Sequence, residues 1–158
     1  MNDIACKTKK ILFCTDFSPN AHVAFEYAID STVRRPNSEL HLLHVIPAPD
    51  AQYWKPYIYE INSDVDQMAK NAFDKRVNTE YLPMLPEGMK VNAVFRIGKA
   101  YVEIIKYANE IEADMIVMGR QGRGALESLF FGTVAEKVVK RAKCPVLVIP
   151  LPDKNGAK

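Results

Sequence analysis

Glycine residues are concentrated in one stretch of the chain, at a spacing that suits the binding of an anionic group. The stretch from Gly119 to Gly124 reads GRQGRG. It follows four apolar residues, 115–118, and Gly132-Thr133 come shortly after it, directly before a helical pattern. Without a Cβ, glycine lets backbone N–H groups approach a ligand closely, and a helix start adds N–H donors at the positive end of a dipole. The order strand, glycine-rich loop, helix therefore predicts a site for a phosphate-sized anion.

The glycine pattern differs from two better-known phosphate-binding motifs. The chain contains no G-x-x-x-x-G-K-[ST], and the order Gly119, Gly122, Gly124 is not G-x-G-x-x-G. A flexible connection between strand and helix is the alternative. Against it, Thr133 with Glu136 three residues later predicts a capping box, which would fix the start of the helix. Each donor to a charged group contributes about 1.5–3 kcal/mol, so a few converging amides would be enough for useful affinity.

Two further groups bear on the same chemistry. Arg120 and Arg123 would add positive charge to the glycine loop, although exposed arginines are often only solvated surface. Asp16 follows the first apolar run, and Ser18-Pro19 after it predict a helix N-cap and first helical residue. Asp16 is either a ligand contact or a turn and capping carboxylate. A magnesium role for Asp16 is also open, but no second carboxylate converges with it at a diagnostic spacing.

The elements that must position these residues alternate regularly between strand and helix. The predicted strands are Lys10–Cys14, Glu39–Ile46, Lys90–Ile97, Met115–Met118 and Val146–Ile149, and the predicted helices are about Pro19–Val33, Ser63–Leu82, Ala100–Ile111 and Val134–Ala142. Strands that are apolar almost throughout predict a parallel sheet covered on both faces, hence a three-layer, Rossmann-like open α/β fold. In the strand order 3-2-1-4-5, the winding reverses between strands one and four. The Asp16 turn and the glycine loop would then meet in one crevice.

Here the sequence resembles a known family. Gly119-x2-Gly122-x9-Gly132-Thr133 matches the nucleotide motif G-x2-G-x9-G-[S/T] of the universal stress protein family. Residues 10–18 are similar to the family's opening strand and its Asp-bearing turn, and residues 39–45 to its second strand. Residues 135–139 and 144–149 are similar to its closing helix and strand. The similarity extends from about Lys9 to Pro150.

The resemblance implies a five-stranded Rossmann-like fold, and it implies that the chain binds ATP, with Mg²⁺, as a stress-response regulator. It places a phosphate-binding set at Gly119, Arg120, Gly122, Arg123, Gly132, Thr133 and Val134, and an adenosine-binding set at Cys14, Thr15, Asp16, Val45 and Met118. Of these, Val45 would meet the base through its backbone. Cys14 stands where the family often has proline, which puts base or ribose contacts in doubt but leaves the phosphate loop untouched. The resemblance also implies a homodimer through strand 146–149.

Two other functions are compatible with the same residues. A weak ATPase or autophosphorylating enzyme would use the same pocket, with Thr133 as the nearest hydroxyl, but no general base is evident beside it. An interaction module that keeps the fold without the nucleotide is the other alternative. Four aromatic residues of the 47–62 loop form either a lid over adenine, a partner surface or a loop packed on itself; they are Tyr53, Trp54, Tyr57 and Tyr59.

Composition narrows the class of protein. The 158 residues are 48% hydrophobic and 25% charged, which predicts one ordinary domain over 1–158 with a polar tail at 151–158. A net charge of +2 gives no strong case for nucleic acid or an anionic membrane. Three cysteines without a CxxC, together with no apolar leader, favour a reducing, cytoplasmic setting. His41 and His44 lie on opposite faces of a strand, so they do not predict a metal site.

Overall fold

In the computed structural model, which describes residues 8–47, 65–121 and 132–152, five parallel strands form one sheet. The strands are β1 Lys10–Thr15, β2 Glu39–Pro47, β3 Val91–Gly98, β4 Met115–Gly119 and β5 Val146–Ile149. Their order is β3-β2-β1-β4-β5, and each neighbouring pair is parallel. The predicted fold class and strand order are confirmed, with strand limits that shift by at most one residue at either end.

The helices of the described ranges are α1 Pro19–Val33, α2 Val65–Arg76, α3 Ala100–Glu110 and α4 Thr133–Arg141. Ser18 is the N-cap of α1, as predicted: its Oγ accepts a hydrogen bond from Ala21 N at 3.2 Å, and Pro19 is the first helical residue. Among the described residues, no helix has the length and apolar character needed to cross a membrane.

The predicted second helix is divided where the structure describes it. After α2, a π-helical segment covers Val77–Tyr81 and a 3₁₀ turn covers Leu82–Met84. Pro83 explains the tightened end, because proline lacks an N–H and cannot continue an α-helix. The predicted start at Ser63 lies outside the described residues.

The predicted capping box of the last helix is wrong. Gly132, in an extended conformation, is the N-cap of α4, and no described side chain caps it. Gly132 N instead donates to the Arg120 carbonyl at 2.8 Å. Glu136 pairs with Lys140 one turn later, with 2.5 Å between Oε1 and Nζ. Because the bond from Gly132 N fixes Gly132 as the extended residue before the helix, Thr133 is the first helical residue rather than the cap, and the Glu136 carboxylate is used in a surface ion pair.

Each face of the sheet has its own core. The face covered by α1 and α2 is rich in rings, and we call it the aromatic core; it includes Phe13, Phe17, Phe25, Phe73 and Tyr81. The face covered by α3 and α4 is mainly aliphatic, and we call it the aliphatic core; it includes Leu12, Leu43, Ile104, Ile116 and Val138. Consecutive residues of β1 enter opposite cores, which explains why the strand is apolar throughout.

Candidate functional site

A crevice is expected where the sheet's winding reverses, at the carboxyl ends of β1 and β4. Cys14 and Met118 are register partners on these two strands, so the chain leaves both strands at the same level. The next residues are the Asp16 turn on one side and Gly119-Arg120 on the other. The two connections singled out from the sequence therefore begin next to each other.

The β1–α1 turn is held by hydrogen bonds from its own side chains. Thr15 Oγ1 accepts from Phe17 N at 2.8 Å and shares a hydrogen bond with the Tyr81 hydroxyl in the aromatic core. The Thr15 carbonyl accepts from His44 Nδ1 at 2.8 Å. Asp16 Oδ1 accepts from Ser18 N at 3.0 Å. The turn role considered for Asp16 is thus observed, and a nucleotide contact of Asp16 stays a prediction.

Phe17 holds the turn in an unusual backbone conformation. Its φ is 59°, in the left-handed region that a residue with a bulky side chain rarely adopts. The ring is fixed by packing: its centroid lies 4.8 Å from the His44 ring and 5.5 Å from the Tyr81 ring. The Arg76 guanidinium lies 4.0 Å above it. Strain of this kind persists where surrounding contacts over-determine it, typically at functional positions.

The π-helical segment after α2 supplies a polar clamp next to this turn. Glu80 Oε1 accepts from Arg76 Nε at 2.6 Å, and Glu80 Oε2 lies 3.1 Å from His22 Nε2. The hydrogen bond from Arg76 lowers the pKa of Glu80 below its usual value. Burial raises the pKa of Tyr81 well above its usual value, so its hydroxyl stays neutral. The segment therefore presents an uncharged hydroxyl to Thr15.

Asn20, which the sequence reasoning missed, links the two sides of the crevice. Its side chain is only 3% exposed. Nδ2 donates to the Ile149 carbonyl at 2.9 Å, and Oδ1 accepts from Gln121 N at 2.9 Å. The one available signal was an asparagine in the first turn of a helix whose neighbouring positions are small and apolar. Asn20 joins α1 to the exit of β4 and to the end of β5.

The close packing of Asn20 against the end of β4 requires glycine at position 119. A Cβ at Gly119 would lie 3.0 Å from Asn20 Cγ and 3.2 Å from its backbone carbonyl carbon. Contacts this short force neighbouring atoms to move, and backbone atoms move least easily. The absence of a side chain at Gly119 therefore lets α1 pack against the end of β4, whatever the loop binds.

The two ends of the β4–α4 connection are fixed by backbone hydrogen bonds. Arg120 N donates to the Ile149 carbonyl at 2.8 Å, and Gly132 N donates to the Arg120 carbonyl at 2.8 Å. The second bond brings the start of α4 next to Arg120. The first amides of α4, beginning with Thr133 and Val134, have no intrahelical partner. They therefore lie beside the exit of β4, at the positive end of the helix dipole.

Arg120 supplies a second feature suited to an anion. Its Nε is buried, and the described residues offer it no hydrogen-bond acceptor. Buried donors are nearly always paired in native proteins, so an unpaired guanidinium nitrogen calls for an explanation. An anionic ligand at the loop would supply the missing acceptor. Arg120 and the start of α4, which no described side chain caps, are thus two features that fit a phosphate group.

The other predicted site residues differ in what they can offer. The side chains of Cys14, Val45 and Met118 are buried in the aliphatic core, so these residues could contact a ligand only through their backbone atoms. Burial strongly raises the pKa of the Cys14 thiol, which keeps it neutral and unreactive. Gly122 and Arg123, like the aromatic 53–59 segment, lie outside the described residues.

The histidines of β2 face opposite cores. His41 contacts the Tyr107 hydroxyl and Glu39, each at 3.3 Å, on the α3 side. His44 stacks on Phe73 on the α2 side. In the part of the chain that the structure describes, no three potential metal ligands are grouped together.

A cavity of about 220 Å³, lined in part by Ile105 and Cys144, lies at the amino ends of the strands. It is therefore at the opposite end of the sheet from the candidate site.

The fold and this crevice define an α/β protein with a candidate anion-binding site at the switch point of a parallel sheet. The model of the universal stress protein family matches residues 7–150, so the chain belongs to that family. Among its relatives, universal stress protein MJ0531 of Methanocaldococcus jannaschii is 30% identical over 126 residues, which cover 73% of this chain and 74% of that protein. Universal stress protein MJ0577 of the same organism is 29% identical over 153 residues, covering 89% and 94%.

Solved structures share the same architecture. The structure of MJ0577 has a TM-score of 0.75 at 30% identity, covering 94% of this chain and all of that one. The structure of UspA from Lactobacillus plantarum has a TM-score of 0.71 at 24% identity, covering 91% and 99%. A universal stress protein of Archaeoglobus fulgidus, solved in complex with dAMP, has a TM-score of 0.59 at 20% identity, covering 90% and 97%. At these lower identities the likeness concerns the fold.

Proposed function

We propose that this protein binds ATP in the crevice between β1 and β4 and acts as a nucleotide-dependent regulator of a stress response in the cytoplasm. The observation that carries the proposal is the pairing of two anion-binding features at one point. The buried Arg120 Nε lacks an acceptor among the described residues, and the start of α4 is tied directly to Arg120 through Gly132. Family membership supports the choice of an adenine nucleotide, as does the Archaeoglobus fulgidus protein that was solved with dAMP.

The proposed ligand contacts fall into two sets. The phosphates would be held by the loop and helix start, namely Gly119, Arg120, Gly122, Arg123, Gly132, Thr133 and Val134. The adenosine would lie against the ends of β1, β2 and β4, namely Cys14, Thr15, Asp16, Val45 and Met118. Thr15 would act through its position in the turn, because its hydroxyl and carbonyl already have partners. Mg²⁺ would arrive with the nucleotide, since this ion binds phosphates together with one or two carboxylates.

Isothermal titration calorimetry with ATP and AMP tests the proposal. We expect one ATP per subunit and weaker binding of AMP, because each lost phosphate contact removes a charge-assisted hydrogen bond. Arg120→Gln should weaken ATP binding about tenfold, in line with the loss of one such bond. Arg34→Gln, at an exposed arginine paired with Asp30, is the matched control and should leave the affinity unchanged. A folded wild-type protein that gives neither heat nor thermal shift at millimolar ATP would end the proposal.

Thr133 motivates the second candidate, slow ATP hydrolysis or autophosphorylation in the same pocket. It is exposed at the first position of α4, within the proposed phosphate site. An ATP turnover assay on wild type and Thr133→Ala decides whether this hydroxyl matters. Turnover that is equal in both excludes Thr133 as the acceptor. A folded protein that neither binds nor copurifies with nucleotide would instead support the third candidate, an interaction module.

We also propose a homodimer built on β5. Within the described chain β5 lies at one edge of the sheet, and three of its four residues, Val146 to Val148, are only partly buried. An apolar edge strand exposes unpaired backbone groups and is normally paired or covered. Light scattering at micromolar concentration should give the mass of two chains. The mass of one chain would contradict this.

A further inference from the structure

Three positive side chains surround a single tyrosine on the α3–α4 surface. Lys99 Nζ and Lys137 Nζ each lie 5.2 Å from the centroid of the Tyr101 ring, and Arg141 Cζ lies 5.1 Å from it. Lys99 directly precedes α3, whereas Lys137 and Arg141 are one turn apart on α4. We call these four residues the Tyr101 patch. None of them belongs to the proposed nucleotide site, so this surface is separate from the proposed ATP-binding residues.

The charge of the Tyr101 patch is only partly compensated within the described chain, since Glu136 acts on Lys137 without forming a direct ion pair with it. None of its three cations forms an ion pair there, whereas the acidic residues of the same two helices are engaged elsewhere. Glu103 pairs with Lys106 at 3.0 Å, and Glu136 pairs with Lys140 at 2.5 Å. Lys106 and Lys140 thus form the direct ion pairs with carboxylates that could otherwise have paired with the cations of the patch.

This concentration of charge is unfavourable without an anion. Because every cation lies about 5 Å from one centroid, any two of them are at most about 10 Å apart, which is comparable to the screening length at 0.1 M salt. Like charges at i and i+4 on a helix, such as Lys137 and Arg141, also destabilise that helix slightly. The ring attracts each cation by about 0.5–1 kcal/mol at exposed sites, which offsets part of the repulsion but brings the charges together. A negatively charged partner would remove the repulsion altogether.

We infer that the Tyr101 patch is a docking site for an acidic segment of a partner protein, whose Asp and Glu carboxylates pair with the three cations. Charge complementarity is the basis of recognition. Nucleic acid fits less well for two reasons. The aromatic surface on which a base would stack is already covered by the cations, and a net charge of +2 on the whole chain provides little attraction for a polyanion.

The probe is a fluorescein-labelled peptide of alternating Glu and Ser, about eight residues long, since an extended chain of about 3.3 Å per residue then spans the patch. Binding is followed by fluorescence anisotropy at low salt. The triple variant Lys99→Gln, Lys137→Gln, Arg141→Gln should bind the peptide at least about tenfold more weakly than wild type. Added NaCl should weaken wild-type binding, because surface charge pairs are screened.

A control with the same change in net charge separates the patch from general electrostatics. It carries Arg34→Gln, Lys70→Gln and Lys75→Gln, which remove three exposed cations at the end of α1 and in α2, the helices that cover the other face of the sheet. This variant should bind the peptide within about twofold of wild type. Circular dichroism checks that both triple variants are folded.

Three results would overturn the inference. The first is no binding of the peptide by wild type at low salt. The second is equal loss in both triple variants, which would assign binding to net charge. The third is tighter binding of a single-stranded oligonucleotide of the same length and charge, lost only in the patch variant, which would assign the patch to nucleic acid.

Discussion

The two connections that border the crevice are built differently. The β1–α1 turn is shaped by its own side chains: Thr15, Asp16 and Ser18 each bond to backbone, and Phe17 is packed among rings. The β4–α4 connection is fixed at its ends by backbone bonds and by one outside side chain, Asn20. The conformation of the β1–α1 turn therefore depends on its own side chains. The conformation of the β4–α4 loop ends depends instead on hydrogen bonds to residues elsewhere in the chain. Substitutions should affect the two connections in different ways.

The largest effect is expected from the residue that joins the two connections. Asn20→Ala removes the acceptor of the half-buried Gln121 N–H bond and one of two hydrogen bonds to the Ile149 carbonyl. We expect a loss of about 2–3 kcal/mol in the free energy of unfolding, measured by urea denaturation. Asn109→Ala, at an exposed helical asparagine, should change stability by less than about 0.5 kcal/mol. Equal effects of the two variants would mean that the link is not structural.

Gly119→Ala tests whether the loop end depends on backbone position. The added Cβ collides with Asn20, and we expect about 1–3 kcal/mol of destabilisation together with weaker ATP binding. Gly88→Ala is the control: no atom lies within 4 Å of the new Cβ, but a φ of 78° makes alanine unfavourable by about 1–2 kcal/mol. It should lower stability and leave ATP affinity unchanged. If both variants lost ATP binding alike, stability rather than loop position would explain the loss.

Tyr81→Phe tests whether the turn depends on its side-chain bonds. It removes one hydroxyl from the aromatic core and leaves the Thr15 hydroxyl with its single bond from Phe17 N. Chemical denaturation should show a loss of about 1–2 kcal/mol. Tyr27→Phe is the control: Tyr27 is 50% exposed, so the change in the free energy of unfolding should be close to zero. A Tyr81→Phe protein as stable as wild type would show that the turn holds without this bond.

A smaller effect is expected from pH. Because Arg76 lowers the pKa of Glu80 in the folded state, ionised Glu80 stabilises the fold fully above its unfolded pKa of about 4.3. That contribution is lost as the pH falls below this value and through the lower folded pKa. Glu80→Gln should therefore reduce the acid-side slope of stability against pH, measured by denaturation at several pH values. Glu87→Gln, at an exposed glutamate, is the control, and equal slopes for both variants would contradict the role of Glu80.

The fold was predictable because its signals are local and repeated. Apolar strands separated by periodic helices fix a parallel sheet, and Ser18-Pro19 fix the start of α1. The candidate site was predictable only in outline. Asn20 and Tyr81 act across 101 and 66 positions of sequence, through contacts with Gln121 and Thr15 that no local pattern encodes. The capping box failed because Gly132 bonds to Arg120 across the loop, which a short motif cannot show.

The central claim is that the Arg120 side chain and the first amides of α4, those of Thr133 and Val134, bind the phosphates of ATP. Two-dimensional ¹H–¹⁵N NMR spectra of the labelled protein, recorded with ATP and then with adenosine, test it directly. ATP should shift the resonances of Arg120 Nε–H and of the Thr133 and Val134 amides, whereas adenosine should shift mainly those near Asp16 and Val45. If these three resonances of the folded protein stayed unmoved at millimolar ATP, the claim would be contradicted.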